Sequence, residues 1–217
     1  MIVLALDTAV GACSVAVLAD GQPPFAVSEP MLRGHQERLA LMARETMAQA
    51  GLAFESLDRI AVTVGPGSFT GLRVGLAFAK GLGLALARPV VGVGTLEALA
   101  ASETGADLTV AAIDARRGQI YLQAFSGGHA LMAPDVLPLE TAAARLAELR
   151  PVGRVVMVGS GAPLLADLIA GALILPRAAP DPVALARLAR TKPPTPARPL
   201  YLRAPDAKLP GGLDPAA

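Results

Sequence analysis

The feature that most constrains how this chain can fold is an internal repetition. IVLALDTAVGACSVAVLA (2–19) and LTVAAIDARRGQIYLQAF (108–125) share one plan: an apolar run, an aspartate, three residues, a glycine, a second apolar run. Asp7 and Asp114 each stand four residues before their glycine, Gly11 and Gly118. Further along, RIAVTVGPGSFTGL (59–72) is echoed by RVVMVGSGAPLL (154–165), with Gly159 and Gly161 where Gly65 and Gly67 stand. Several landmarks repeated in one order indicate a duplicated structural unit.

Within the first copy, Ile2–Leu6 and Cys13–Ala19 flank a turn and predict a β-hairpin, with a third strand over 23–28. Leu39, Met42, Ala43, Thr46, Met47 and Ala50 recur at helical spacing, so 35–51 is expected to be a helix stopped at Gly51. A strand over 59–64, a helix over 71–87, a strand over 90–93 and a short helix from Leu96 complete the unit. In the second copy, helical patterns follow at 139–149, 163–170 and 182–189. The punctuated stretch SETGAD places a boundary near Gly105, giving domains 1–105 and 106–217, and the Pro-rich segment 192–199 reads as an extended connector. Three strands, helix, strand, helix, used twice, predict an α/β protein of two mixed-sheet domains facing each other across a cleft. That is the layout of actin-like, Hsp70-like (ribonuclease H-like) domains.

Composition narrows the class. With 53% hydrophobic and 17% charged residues the chain is globular, and with 3% aromatics its core is built from Ala, Leu and Val. Net charge is +1, so no strong overall field points to nucleic acid. The basic residues gather late, as Arg187, Arg190, Lys192, Arg198, Arg203 and Lys208 against Asp181 and Asp206; such a run more often solvates a surface, and its alternative reading is a contact for RNA or an acidic partner. The longest apolar stretch, 71–87, carries Arg73 and Lys80 and is short for a membrane span, so it reads as a buried helix. One cysteine, Cys13, excludes an internal disulfide; with no positive leader before the first apolar run, the expected location is cytoplasmic and no membrane association is expected.

VGPGSFTGLRVG (64–75) has the ingredients of an anion-gripping turn, a strand before it and a helix after it. Its spacing, however, is G-x-G-x-x-x-G, neither a dinucleotide fingerprint nor a Walker loop. Asp7, Gly65, Gly67 and Ser68 are therefore candidates for a phosphate or nucleotide turn, weighed against a structural role: Asp7 bonding its own hairpin turn, Ser68 or Thr70 capping the next helix. No G-x-S-x-G elbow accompanies Ser68, so a nucleophilic serine is not expected. His35 reads as a polar surface group near a helix start, and Cys13 as a buried structural thiol.

LALDTA, VGPGSFTGLRVGLAFAKGL, GVGTLEALA, DARRGQIY and PLYLR, in this order from residue 1 to about 203, resemble the TsaB (YeaZ) family of bacterial tRNA threonylcarbamoyladenosine biosynthesis proteins. The resemblance implies a non-catalytic platform subunit that dimerises with TsaD. TsaD transfers the threonylcarbamoyl group to adenosine 37 of ANN-decoding tRNAs, and the ATPase TsaE resets the pair. It implies no cofactor or metal of its own, with ATP or ADP at the complex interface, tRNA reached through the complex, and a homodimer when TsaD is absent. The docking surface implied is the pair of long first-domain helices, with Leu39, Met42, Thr46, Phe69, Leu72, Arg73 and Leu76 as interface candidates. The TsaD metal pair H-x-x-x-H falls on Thr95 and Leu99 here, a poor ligand and a non-ligand. That disfavours the rival reading of a metallopeptidase or ATPase of the same superfold. A third reading is a self-contained tRNA-binding protein using the basic tail.

Overall fold

The computed structural model describes residues 1–149, 152–194 and 196–203. Its first sheet is built from β1 (Ile2–Asp7), β2 (Ala12–Ala19), β3 (Phe25–Pro30), β4 (Arg59–Gly65) and β5 (Val90–Gly94), in the order β3-β2-β1-β4-β5. β1 and β2 form the expected hairpin, in register from Ile2↔Ala19 to Asp7↔Ser14. β4 lies parallel to both β1 and β5. The second sheet uses β6 (Leu108–Arg116), β7 (Gln119–Ser126), β8 (His129–Ala130), β9 (Asp135–Pro138), β10 (Val155–Val158) and β11 (Leu173–Leu175). Its order, β11-β10-β6-β7-β8, again sets a hairpin beside two parallel strands, so the repetition in sequence is a repetition of topology.

Both faces of the first sheet are covered, which is why its strands read as continuous apolar runs rather than alternating ones. Leu4, Leu6, Val15, Val17, Ile60 and Val62 pack under α1 (His35–Gln49) and α2 (Phe69–Leu86). The alternate residues Val3, Ala5, Ala16, Leu18 and Ala61 meet α5 (Pro182–Thr191), through Leu185, Ala186 and Ala189. In the second sheet one face packs under α4 (Leu139–Glu148) and the 3₁₀ turn Ala162–Leu168. The other face packs against α3 (Thr95–Ala101), where Leu96 and Leu99 meet Ala111, Ile113, Phe125 and Val158.

The two halves therefore trade helices. α3 comes from the first half and covers the second sheet; α5 comes from the second half and covers the first. A cut at Gly105 separates the sheets but not their cores, because punctuation in sequence marks where the chain crosses and not which face each helix covers. The expected connector is a packed strap: Arg59 donates to the carbonyls of Ala189 and Lys192, and Lys192 pairs with Glu97 at 2.7 Å. Ala197 is buried in the first core, and Leu200 N–H donates to Val64 O at 2.7 Å.

Other expectations shift in detail. The third strand starts two residues late, and the 163–170 helix is the 3₁₀ turn. Among the described residues α2 alone is long and apolar enough to cross a membrane, and only a third of it is buried in the chain. It is half-sunk on its own sheet, not the buried helix its apolarity suggests.

Candidate functional site

The glycine-rich turn between β4 and α2 is fastened to the β1–β2 turn. Ser68 N–H donates to Ala9 O at 2.7 Å, and Thr8 Oγ1 donates to Gly71 O at 2.7 Å. Ser68 caps α2, its Oγ accepting from Gly71 N–H at 3.2 Å. A Cβ on Gly67 would overlap Ala9 O and one on Gly71 would overlap Thr8 O, so these glycines allow two backbones to touch. Gly65 has φ +114°, and a Cβ there would lie 2.6 Å from Leu200 O of the strap. These contacts hold the glycine turn against the β1–β2 turn and the strap, at the edge of a cleft.

Asp7 is fully buried. Its Oδ1 accepts from Ala9 N–H at 3.0 Å and from the Thr63 hydroxyl at 2.6 Å, while Oδ2 has no partner. Burial raises its pKa above the usual carboxylate value; the Thr63 and Ala9 hydrogen bonds and the nearby His35 oppose this without cancelling it. Among the described residues no group of three or more His, Cys, Asp or Glu is arranged to hold a metal ion. Asp7 thus fixes its hairpin. His35, read from sequence as a surface group, is instead 7% exposed with Nε2 unpartnered, because the Gly34 turn tucks the start of α1 against the sheet.

The second copy repeats the geometry more openly. Asp114 Oδ1 accepts from Arg116 N–H at 2.8 Å, Gly161 N–H donates to Ala112 O at 3.0 Å, and Gly159 has φ +117°. Arg116 and Arg117 also take positive φ, 65° and 55°, at the tip of the β6–β7 turn. Between the two copies lies a cleft of about 570 Å³, lined by Pro66, Phe69, Asp114, Arg116, Tyr121 and Ser160, and roofed by Tyr201 and Arg203 of the strap. Arg203 spans it, donating to Ala115 O at 2.8 Å, and Tyr201 packs on Phe69 with ring centroids 5.2 Å apart.

A second concavity, about 470 Å³, runs between α1 and α2 and is lined by Gln36, Ala40, Phe69, Arg73, Ala77 and Phe78. The Arg73 guanidinium lies 3.8 Å above the Phe69 ring centre. Of the interface candidates, Phe69 and Arg73 sit on this outer face. Leu39 reaches the floor of the concavity although it is 1% exposed, whereas Met42, Thr46, Leu72 and Leu76 do not line it and are at most 5% exposed. Leu39, Met42 and Thr46 belong to the apolar spacing of α1, and such spacing marks the face a helix turns to its own core. Thr95 and Leu99 are likewise buried, Leu99 in the core beneath the second sheet.

Sequence reasoning missed the strap's part in the cleft. PLYLR was visible as a landmark, but nothing local in it shows that Tyr201 travels back to Phe69. The basic-tail residues disperse: Arg190 pairs with Asp20 at 3.0 Å and Lys192 with Glu97, while Asp206 and Lys208 lie outside the described residues.

Comparison with known proteins agrees with this architecture. Residues 27–138 match the family model of TsaD, tRNA N6-adenosine threonylcarbamoyltransferase. The tRNA threonylcarbamoyladenosine biosynthesis protein TsaB of Escherichia coli strain K12 is 40% identical over 124 residues, 56% of this chain and 53% of that protein. The chain spans about half the length of the first curated relatives it matches. The solved structure of YeaZ from Pseudomonas aeruginosa superposes with TM-score 0.77 at 32% identity, covering 93% of this chain and 99% of that one. The ROK hexokinase of Thermus thermophilus, at TM-score 0.54 and 18% identity over 88% of this chain and 99% of that one, shares the fold alone. Two duplicated mixed sheets of the actin-like type, the YeaZ structure that covers nearly the whole chain, and the matches over about half of it to TsaB and to the TsaD model lead to one conclusion: the chain belongs to the TsaB (YeaZ) family.

Proposed function

We propose that this chain is a non-catalytic platform subunit in threonylcarbamoyl (t6A) modification of adenosine 37 of ANN-decoding tRNAs, docking onto a TsaD homologue through the outer faces of α1 and α2. The observation that carries this reading is the outward stripe of α2. Arg73, Ala77, Gly81 and Leu84 lie on one solvent-facing side, and Leu84 is 86% exposed at the far end from the Phe69–Arg73 pair. Small residues between larger ones let a partner helix approach closely, and a large exposed leucine gives it apolar area to bury. The t6A assignment draws on the names of the relatives, and the cytoplasm is where such a substrate is met. A TsaE homologue, ATP or ADP at the shared interface, and a homodimer in the absence of TsaD belong to the same proposal. The rival metallopeptidase or ATPase reading is weakened by Thr95 and Leu99, both buried, standing where a metal-binding His pair would be needed.

The test is reconstitution with TsaD and TsaE homologues, ATP, tRNA and the threonylcarbamoyl adenylate, omitting each component in turn. Modification is expected to require this chain, and full-rate modification without it would refute the platform role. Leu84→Asp, at an exposed position, is expected to leave the thermal transition unchanged while weakening association with the TsaD homologue about tenfold or more, measured by isothermal titration.

A further inference from the structure

The cleft between the halves holds an unusual share of the chain's aromatic rings. The sequence has no tryptophan, two tyrosines and five phenylalanines; both tyrosines and Phe69 line this one cleft. Arg116 and Arg203 line it too, Arg117 is next in the turn, and Asp114 is the one acid among its described lining residues. Ser160 adds a hydroxyl, and the inner wall carries His35, 7% exposed with an unpartnered Nε2. Flat rings beside guanidinium groups suit a planar base attached to a phosphate.

The position of these groups decides which nucleotide fits. At the deep end both glycine turns are closed: Ser68 N–H is bonded to Ala9 O, Gly161 N–H to Ala112 O, and Leu200 O sits against Gly65. The N–H groups of Ser68 and Gly161 are therefore already used within the chain and are not offered to a phosphate. At the rim the Arg116 side chain, paired with Asp114 at 3.2 Å, is 81% exposed and Tyr201 is 42% exposed. A base can enter from the rim while its phosphate stays outside on the arginine, an arrangement natural to one unstacked residue of a single strand.

We propose that the mouth of the cleft binds single-stranded RNA, seating one base against Tyr201 and Tyr121 and its phosphate on Arg116. The RNA-modification reading enters only in the choice of RNA as the source of the nucleotide; the docking face on α2 plays no part, so either proposal can fail alone.

The two tyrosines make the test specific. In the full chain with ring-labelled tyrosine, NMR gives two aromatic spin systems, both in the cleft. Titration with hexauridylate is expected to move both signals saturably, and raising salt to weaken the binding. Tyr201→Leu, read on the remaining Tyr121 signal, and Arg116→Gln, at a side chain too exposed to affect folding, are each expected to weaken it about tenfold. Arg145→Gln, on α4 and away from the cleft, is expected to change nothing. Uridine monophosphate binding as tightly as the oligomer would make a free nucleotide the ligand and overturn RNA as its source. Equal binding of the paired duplex, equal loss in Arg145→Gln, or unmoved tyrosine signals would each overturn the site.

Discussion

Asp7 shows how one residue type serves different ends in the two copies. In the first copy the carboxyl is wholly buried, with one oxygen unpartnered; in the second, Asp114 keeps part of its side chain in water and pairs with Arg116 at 3.2 Å. Burial holds the Asp7 pKa above 3.8, so the folded state retains a proton that the unfolded chain releases. Its stabilising contribution is then present below about pH 3.8 and is lost as pH rises toward the raised folded value. Asp7→Asn keeps an oxygen to accept from Ala9 and Thr63. The stability difference between wild type and this variant, from urea titrations at a series of pH values, should shift against the wild type as pH climbs through that window and flatten above it. Cys13 lies in the same core, its thiol pushed up to about 11 by burial first and then by the nearby Asp7 and Glu29 charges. A thiol reagent at pH 8 is expected to label it only in denaturant; rapid labelling of the native chain would mean the β1–β3 core opens.

Helix α2 shows what periodicity can and cannot say. The strands, both long helices and the repeat itself were legible because each rests on local pattern: β-runs broken by turns, apolar residues at helical spacing, glycine at fixed offsets. Among the docking candidates Met42, Thr46, Leu72 and Leu76 lie on the inward face, whereas Leu39, Phe69 and Arg73 border the groove between the helices. Leu72 and Leu76 stood out because they are core. The outward face is marked by what is missing, and Gly81 illustrates it: a Cβ there meets nothing within 4 Å, whereas one at Gly71 would overlap the Thr8 carbonyl. Gly81→Ala is therefore expected to stabilise the isolated chain by about 1 kcal/mol. Gly71→Ala should destabilise it by about 2 kcal/mol or more, as the helix is forced off β1. Thermal unfolding of the two variants separates them by sign. A loss of stability in Gly81→Ala would put that position inside a contact that the fold described here does not contain.

At the scale of the whole molecule, what the sequence hid is long-range. That α5 belongs to the first core and that Tyr201 returns to Phe69 are facts about pairs of residues roughly a hundred or more positions apart. No window of sequence contains both partners. The cleft was foreseen as a consequence of duplication, but its lining was not, because the strap that roofs it arrives from the far end of the chain. The exchange of helices also bears on how the molecule is made. The strands of the first sheet are synthesised well before α5, so the face holding Val3, Ala5, Ala16 and Ala61 has only part of its cover, Ala98 of α3, until Leu185, Ala186 and Ala189 follow. Between the synthesis of β4 and that of α5 the nascent chain carries an incompletely covered apolar face, a surface of the kind that invites aggregation before folding is complete.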